Sequence, residues 1–429
     1  MSLDLAWTVE IGGIDTNTDF TDRVTGINIK QPLGFMQPAA QTVVITLNNF
    51  DGALTPGAGG TYSSVAWFEQ AIFITCTINT TDTAQVFNGI IDDFDIRDDG
   101  VTSTVTIIGV DWLSVGGRSF RTNTQFQPVS RDWTENANRL IDGFTTSVPS
   151  GTALPDLDMT LGIFQAFFGA YLYYAAGTVQ TGIFYDAGTS LGDVLISRHQ
   201  AGVPSIIWPT YIEKYTRSGA DYAMYYAGII GDTLTRVDGD ATTYVFTDNT
   251  PASNQLPITA IDRGYDIDRV LNQASITSSN TTNQVTAANS TSISAIGVKS
   301  ILAGESAMLS DTDTQRMADN IVTRFAGVNF GARKLRIDSA TLADITADSK
   351  EELAGLLDVG KGLWQQATVT YTPTGAGSPT TDNCVISGRT IQATPGRTTI
   401  TLDLLPAQDY QSFVLDSSTL GVLDTNRLG

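Results

Sequence analysis

The chain has 429 residues, of which 41% are hydrophobic and only 16% charged, and 45 acidic against 24 basic side chains leave a formal charge of −21. An acid excess of that size repels phosphate and argues against direct nucleic-acid binding. With one histidine and two cysteines a His/Cys metal cluster is excluded, and no HExxH, CxxC, GxSxG or GxxxxGKS motif occurs.

The opening MSLDLAWTVE has an acid and no base ahead of its apolar positions, unlike a secretory leader. Residues 5 to 121 read as β almost throughout, with strand-like runs at Thr42–Asn48, Ala71–Asn79, Val86–Ile96 and Val101–Val110. In TVVITLNNFDGALTPGAGG, Val43, Ile45 and Leu47 alternate with Val44, Thr46 and Asn48, and Asp51-Gly52 is a strong turn dipeptide. No returning strand follows at once: Pro56, Gly57 and a glycine-rich excursion intervene before Ala71. The acidic run IIDDFDIRDDG departs from the calcium-loop spacing and reads as a solvated strand end, with Asp93 and Asp95 on one face and Asp92 on the other. Asp99-Gly100 reads as the turn of a hairpin.

Further along, RDWTENANRLIDGF places Trp133, Ala137, Leu140, Ile141 and Phe144 on one helical face. From Met159 to Tyr185 no residue is charged, a length that could span a bilayer. Gln165, Thr178, Gln180, Thr181 and four glycines interrupt it, and no base flanks it, so it reads as a buried or interface-forming aromatic segment. Its candidate interface rings are Phe164, Phe167, Phe168, Tyr171, Tyr173 and Tyr174. A short helix follows in TSLGDVLISRHQAG, where the single histidine, His199, stands near the carboxyl end and favours the helix dipole.

Residues 203 to 277 return to strands, and 278 to 292 read as a polar loop or linker. SDTDTQRMADNIVTRFAG is a well-signalled helix: Ser310 or Asp311 can cap it, Thr312 and Gln315 can form a capping box, and Met317, Ile321 and Phe325 share a face with Ala318 and Val322. Residues 333 to 410 read as β, and 412 to 429 as an exposed tail. Cys76 and Cys384 each sit in an apolar run and read as buried thiols in a reducing compartment. A faint repeat relates residues 86–112 to 385–407, matching Gly89 with Gly388 and Gly100 with Gly396, with Trp67 and Trp364 ahead of the preceding strands.

Taken in order, ITLNNFDGALTPG, VFNGIIDDFDI, DRVLNQASITSS, LLDVGKGLWQQATVTYTPTGAG and the ending LGVLDTNRLG resemble the minor tail or tail-tip (baseplate) hub proteins of long-tailed bacteriophages, over about four-fifths of the chain. The aromatic segment at 159–185 has no counterpart in that resemblance. It implies a mainly β fold with a few short helices: two tube-like β-barrel domains plus an inserted α/β middle region. The divisions are 1–121 (first barrel), 122–202 (helical connection with the aromatic insert), 203–332 (middle domain), 333–411 (second barrel) and 412–429 (tail). Asp51, Gly52, Pro56 and Gly57 then form a structural turn over a barrel rim, packed against a neighbouring subunit.

The resemblance further implies a non-enzymatic virion protein, located at the tail tip, assembled in the host cytoplasm and needing no cofactor. Three chains with two barrels each would join a sixfold tail tube to a threefold tip. Partners would be the distal tail or tail tube protein, the tape measure protein and fibre or tip proteins, without stable membrane insertion. Genomic DNA would be passing cargo, with Asp92, Asp93 and Asp95 as candidate channel-facing acids. The alternative is a distal tail or baseplate protein with a carbohydrate-binding module that contacts the host.

Overall fold

A computed structural model describes residues 5–111 and 243–406, apart from 14–15, 33–38, 58, 63–64, 66, 69, 79–81, 266–268, 279–282, 307–310, 329, 343–344 and 364. It also describes residue 114 and the backbone of 164–166, 210–217 and 220–227. The expected helices around Trp133 and Leu191, His199, Ser310, Trp364 and the tail lie outside the described residues, as does the side chain of Met317.

The strands of the amino-terminal part are β1 (Leu5–Gly13), β2 (Thr16–Asp19), β3 (Val24–Gln31), β4 (Thr42–Asn48), β5 (Ala71–Ile78), β6 (Asp82–Asp98) and β7 (Ser103–Asp111). β8 (Phe164–Ala166), β9 (Thr210–Arg217) and β10 (Ala220–Ala227) form a small sheet with β10 in the middle. Next come β11 (Thr243–Thr247), β12 (Gln255–Pro257), β13 (Ala260–Tyr265), β14 (Gln273–Ser278) and β15 (Gln284–Ala288). Helix α1 (Ser290–Ile296), β16 (Ser300–Ser306), helix α2 (Asp311–Phe325) and β17 (Phe330–Asp338) follow. The described chain ends with helix α3 (Ala347–Leu357), β18 (Gln366–Tyr371), β19 (Thr380–Thr394) and β20 (Arg397–Pro406).

Alternation sets the faces. In β4, Val43, Ile45 and Leu47 are fully buried while Val44 and Asn48 are exposed, so one side of the strand meets the core and the other meets water. The same rule holds along β3 and β5 and in β7 as far as Gly109. Fourteen strands join one sheet, in which an antiparallel path runs β13-β17-β20-β19-β3-β4-β7-β6-β5-β1-β2. β18 pairs with the first part of β19, and β11 and β12 extend from β18 as parallel strands.

Two five-strand units are recognisable in this sheet. Ala71 faces Ile90 as Gln366 faces Val385, and Asp93 faces Ile108 as Gly388 faces Asp403, a constant shift of 295 residues. Each long strand carries a bulge at the equivalent residue, Asp92 in β6 and Ser387 in β19. Thus β3-β4-β7-β6-β5 corresponds to β13-β17-β20-β19-β18. Gly89 and Gly388, matched on sequence, are four positions out of this register.

The expectation of two tube-like barrels is overturned. Among the described residues no sheet closes into a barrel, and the fold there is mixed α/β, dominated by sheet with parallel and antiparallel pairs and three short α-helices. The physical reason lies at one seam. β3 does not return to the far edge of its own unit. It bonds to β19 of the other, with Asn28 opposite Gln392 and Gln31 opposite Arg389. The sheet curls enough for Trp7 Nε1 on β1 to donate to Thr398 Oγ1 on β20 at 3.0 Å, yet no ladder joins those strands.

α3 locks the seam from the core side. Thr346 caps its start, accepting from the Ser349 amide, and Leu353, Leu356 and Leu357 are fully buried against β5, β6 and β12. At its end Val359 N donates to Gln85 O at 2.6 Å, and Gln85 N donates to Asp358 Oδ2 at 3.1 Å. The stretch read as β from 333 to 410 therefore contains a helix whose apolar face belongs to the opposite unit. Between β13 and β17 sits the smaller sheet β15-β14-β16, covered by α2 through Ala318, Ile321, Val322 and Phe325. Part of the polar 278–292 stretch is here structured: β15 pairs with β14, and Asn289 caps α1 by accepting from the Ser292 amide.

Candidate functional site

The turn after β4 is built by side chains that replace a returning strand. Asn49 is fully buried. Its Oδ1 accepts from Leu54 N at 2.8 Å, and its Nδ2 donates to Thr55 Oγ1 and Ser103 Oγ at 3.0 and 3.2 Å. Gly52 has φ +66°, in the left-handed region that suits glycine, and its amide donates to Asn49 O. Asp51 accepts from both guanidinium Nη atoms of Arg23 at 2.8 and 2.6 Å and from the Ala53 amide, bonds that hold its carboxyl well below the usual range. Pro56 and Gly57 are exposed at the start of the excursion. The excursion then folds back on its own chain. Leu54 and Trp67 are buried, Trp67 stacks on Phe94 at 4.8 Å, and Phe20 lies between Tyr62 and Trp67 at 4.9 and 5.7 Å. By the unit correspondence this loop stands where α3 stands in the other half.

The water-facing side of the composite sheet is continuous across the seam. One row of directly opposed residues reads Asp93, Ile108, Val44, Asn28, Gln392, Thr399 and Asp338. Its middle is uncharged and both ends are aspartates, Asp93 exposed and Asp338 buried. Asp92, Asp93 and Asp95 are all exposed at the β6 end, because the bulge at Asp92 breaks the strict alternation that would separate it from Asp93. Toward β17, Lys334 and Arg336 are exposed, with Lys334 Nζ 3.4 Å from Asp403 and Arg336 3.8 Å from Asp338. Arg397 also reaches Asp338 at 2.6 Å and lowers its carboxyl pKa. Of the aromatic insert, Phe164 begins β8, which pairs in parallel with β10; Phe167, Phe168, Tyr171, Tyr173 and Tyr174 lie outside the described residues.

Sequence reasoning missed Arg389. This side chain is buried at the seam, where Nη1 donates to Leu356 O and, at 3.4 Å, to Asp358 O, carbonyls at the end of α3. Burial pushes its pKa down to about 10, so it remains a cation at neutral pH. The only sign in the sequence was a charge inside the strand VISGRTI. Cys76 and Cys384 are both buried, and neither is in a disulfide. No group of three or more His, Cys, Asp or Glu is arranged to hold a metal ion among the described residues. No helix among them is long and apolar enough to cross a membrane.

No protein-family profile matches the chain, and none of the curated proteins matches it by sequence. In three dimensions it is similar to a tail protein from Neisseria meningitidis MC58, with TM-score 0.53 and 10% identity over 95% of this chain and 98% of that one. It is likewise similar to the 43 kDa tail protein of prophage MuSo2 from Shewanella oneidensis, with TM-score 0.52 and 9% identity over 94% and 99% of the two chains. A type VI secretion component from E. coli, itself said to be structurally similar to the T4 bacteriophage tail proteins gp27 and gp5, aligns at TM-score 0.41 and 9% identity over 90% and 73%. The first two likenesses run nearly end to end, so this chain shares its fold with these two tail proteins, one of them from a prophage.

Proposed function

We propose that the chain is a structural virion protein without catalytic activity, the tail-tip or baseplate hub of a long-tailed phage. The observation that carries this reading is the pairing of two equivalent five-strand units in a chain that shares its fold, nearly end to end, with two tail proteins, one of them from a prophage. Two units per chain turn three chains into a ring of six equivalent units, which fits a sixfold tube on one side and a threefold tip on the other. The water-facing side of the sheet then surrounds the DNA path. Thr, Asn and Gln in its middle offer phosphate no fixed cation, Lys334 and Arg336 on the same side are paired with Asp403 and Asp338, and Asp92, Asp93 and Asp95 add like charge at one end. Partners in this reading are a tail tube or distal tail protein, the tape measure protein and fibre or tip proteins. The turn at Asp51–Gly57 faces a neighbouring subunit, and the rings of the aromatic insert anchor a partner.

Copy number tests it. Quantitative mass spectrometry of purified virions should give three copies at the tail tip, and a tail reconstruction should show the composite sheet around the channel. Six copies would move the chain to the distal-tail position. Absence from virions would overturn the proposal.

A further inference from the structure

We propose that copies of this chain associate head to tail, the open edge of β13 in one copy pairing with the edge of β6 at residues 94–98 in the next. The register is the one that β3 and β19 already use inside the chain. The inference deepens the hub reading and rests on it for closure of the ring.

The internal seam supplies the template. There, residues 27–31 of β3 run antiparallel to residues 389–393 of β19. The shift of 295 maps 389–393 of β19 onto 94–98 of β6. Likewise β13 holds toward β17 the place that β3 holds toward β4: Asp262 faces Lys334 as Asn28 faces Val44. Carrying the seam's register over sets Asp262 opposite Arg97, where the seam has Asn28 opposite Gln392. Both residues are exposed on the water-facing side, and opposite charges directly across a strand pair attract. Continuing along the strands brings Tyr265 opposite Phe94.

Both edges are open among the described residues. β13 forms a ladder only with β17, and residues 93–98 of β6 only with β7, although the Phe94 amide donates to Asp93 Oδ1 at 2.8 Å and the Arg263 side chain reaches Asp382; β9 comes near β6 but forms no ladder with it. Burial points the same way. Ile27 and Ile391, on the two seam strands opposite Ala393 and Ile29, are 4% and 0% exposed, whereas their counterparts Ile261 and Ile96 are only half-buried. Beside the β13 edge, Tyr265 and Phe330 are 62% and 51% exposed with ring centroids 4.9 Å apart. The two ends also differ in charge. Among exposed charges Asp92, Asp93, Asp95, Asp98 and Asp99 outnumber Arg97 at one, and Arg333, Lys334 and Arg336 outnumber Asp262 at the other. A surface that meets a different surface of the same chain is heterologous and generates a ring when its rotation closes.

The test uses the full chain, whose own thiols are buried. The double variant Arg97→Cys with Asp262→Cys, oxidised, should give interchain disulfides that neither single variant gives. In sedimentation, Arg97→Asp and Asp262→Arg should each weaken association about tenfold, and the two together should restore it. Tyr265→Ser should weaken it as well and provides an independent variant if a charge reversal fails to fold. Cross-linked species ending at three chains support the pairing and the hub together. A ladder running past three supports the pairing and removes the hub. Trimers that neither cross-link nor respond to the charge exchange overturn the pairing and leave the hub standing. A chain that stays monomeric at every concentration overturns the pairing.

Discussion

Replacing Gly89 and Gly388 separately by alanine tests the repeat register directly. On sequence the two glycines match, and equivalent positions should respond equally. In three dimensions they stand in different surroundings. A Cβ at Gly89 would lie 2.1 Å from the Val110 carbonyl oxygen, 2.8 Å from its carbon and 2.9 Å from Asp111 Cα, all backbone of the paired strand β7. Ordinary contact requires well over an ångström more, and β7 is held on its other side by β4, so the strand has nowhere to retreat. Such overpacking should cost about 3 kcal/mol or more. At Gly388 the nearest atoms are Asp403 Oδ2 at 3.0 Å and Gln31 O at 3.2 Å. The Asp403 side chain can turn aside at the expense of its ion pair with Lys334, a cost of about 1 kcal/mol. Urea unfolding followed by fluorescence, to which the buried Trp67 contributes, measures both. Equal destabilisation by the two alanines would refute the structural register and favour the sequence match.

Three further outcomes follow from named contacts. At Gly52 a Cβ would meet nothing within 4 Å, so only the φ of +66° penalises a side chain: Gly52→Val should cost about 1–2 kcal/mol and Gly52→Asn much less, and equal losses would count against the turn geometry. Asp338 has its folded pKa depressed chiefly by its hydrogen bonds from Arg397, so its stabilisation is complete above the carboxyl's unfolded value and fades as pH falls through the folded one. The stability gap between the parent and Asp338→Asn should therefore narrow on acidification from neutrality to about pH 3, and a constant gap would refute the pairing. Burial pushes the Cys384 thiol up to about 12, so thiol reagents at pH 8 should label it only at the rate of unfolding; rapid native labelling would show that the β18–β19 hairpin is open.

What the sequence determined by itself was local. Alternation placed β4, β5 and β7 to within two residues, because a half-buried strand must send every second side chain to the core. The 3.6-residue spacing placed α2, and Asp99-Gly100 placed the hairpin turn, since a helical face and a positive-φ turn are set by neighbouring residues. Even the repetition was visible, though four residues out of register. Only the tertiary structure decided that the two units merge at β3 and β19 instead of closing as barrels. An exposed strand edge offers the same N–H and C=O groups to any partner, and alternation fixes faces without naming neighbours. The bulge at Asp92, which sets all three aspartates in water, inserts one residue and leaves composition unchanged. α3 was read as strand because its leucines bury against a unit more than 250 residues earlier, and Arg389 became intelligible only when that helix delivered the carbonyls of its carboxyl end to the seam.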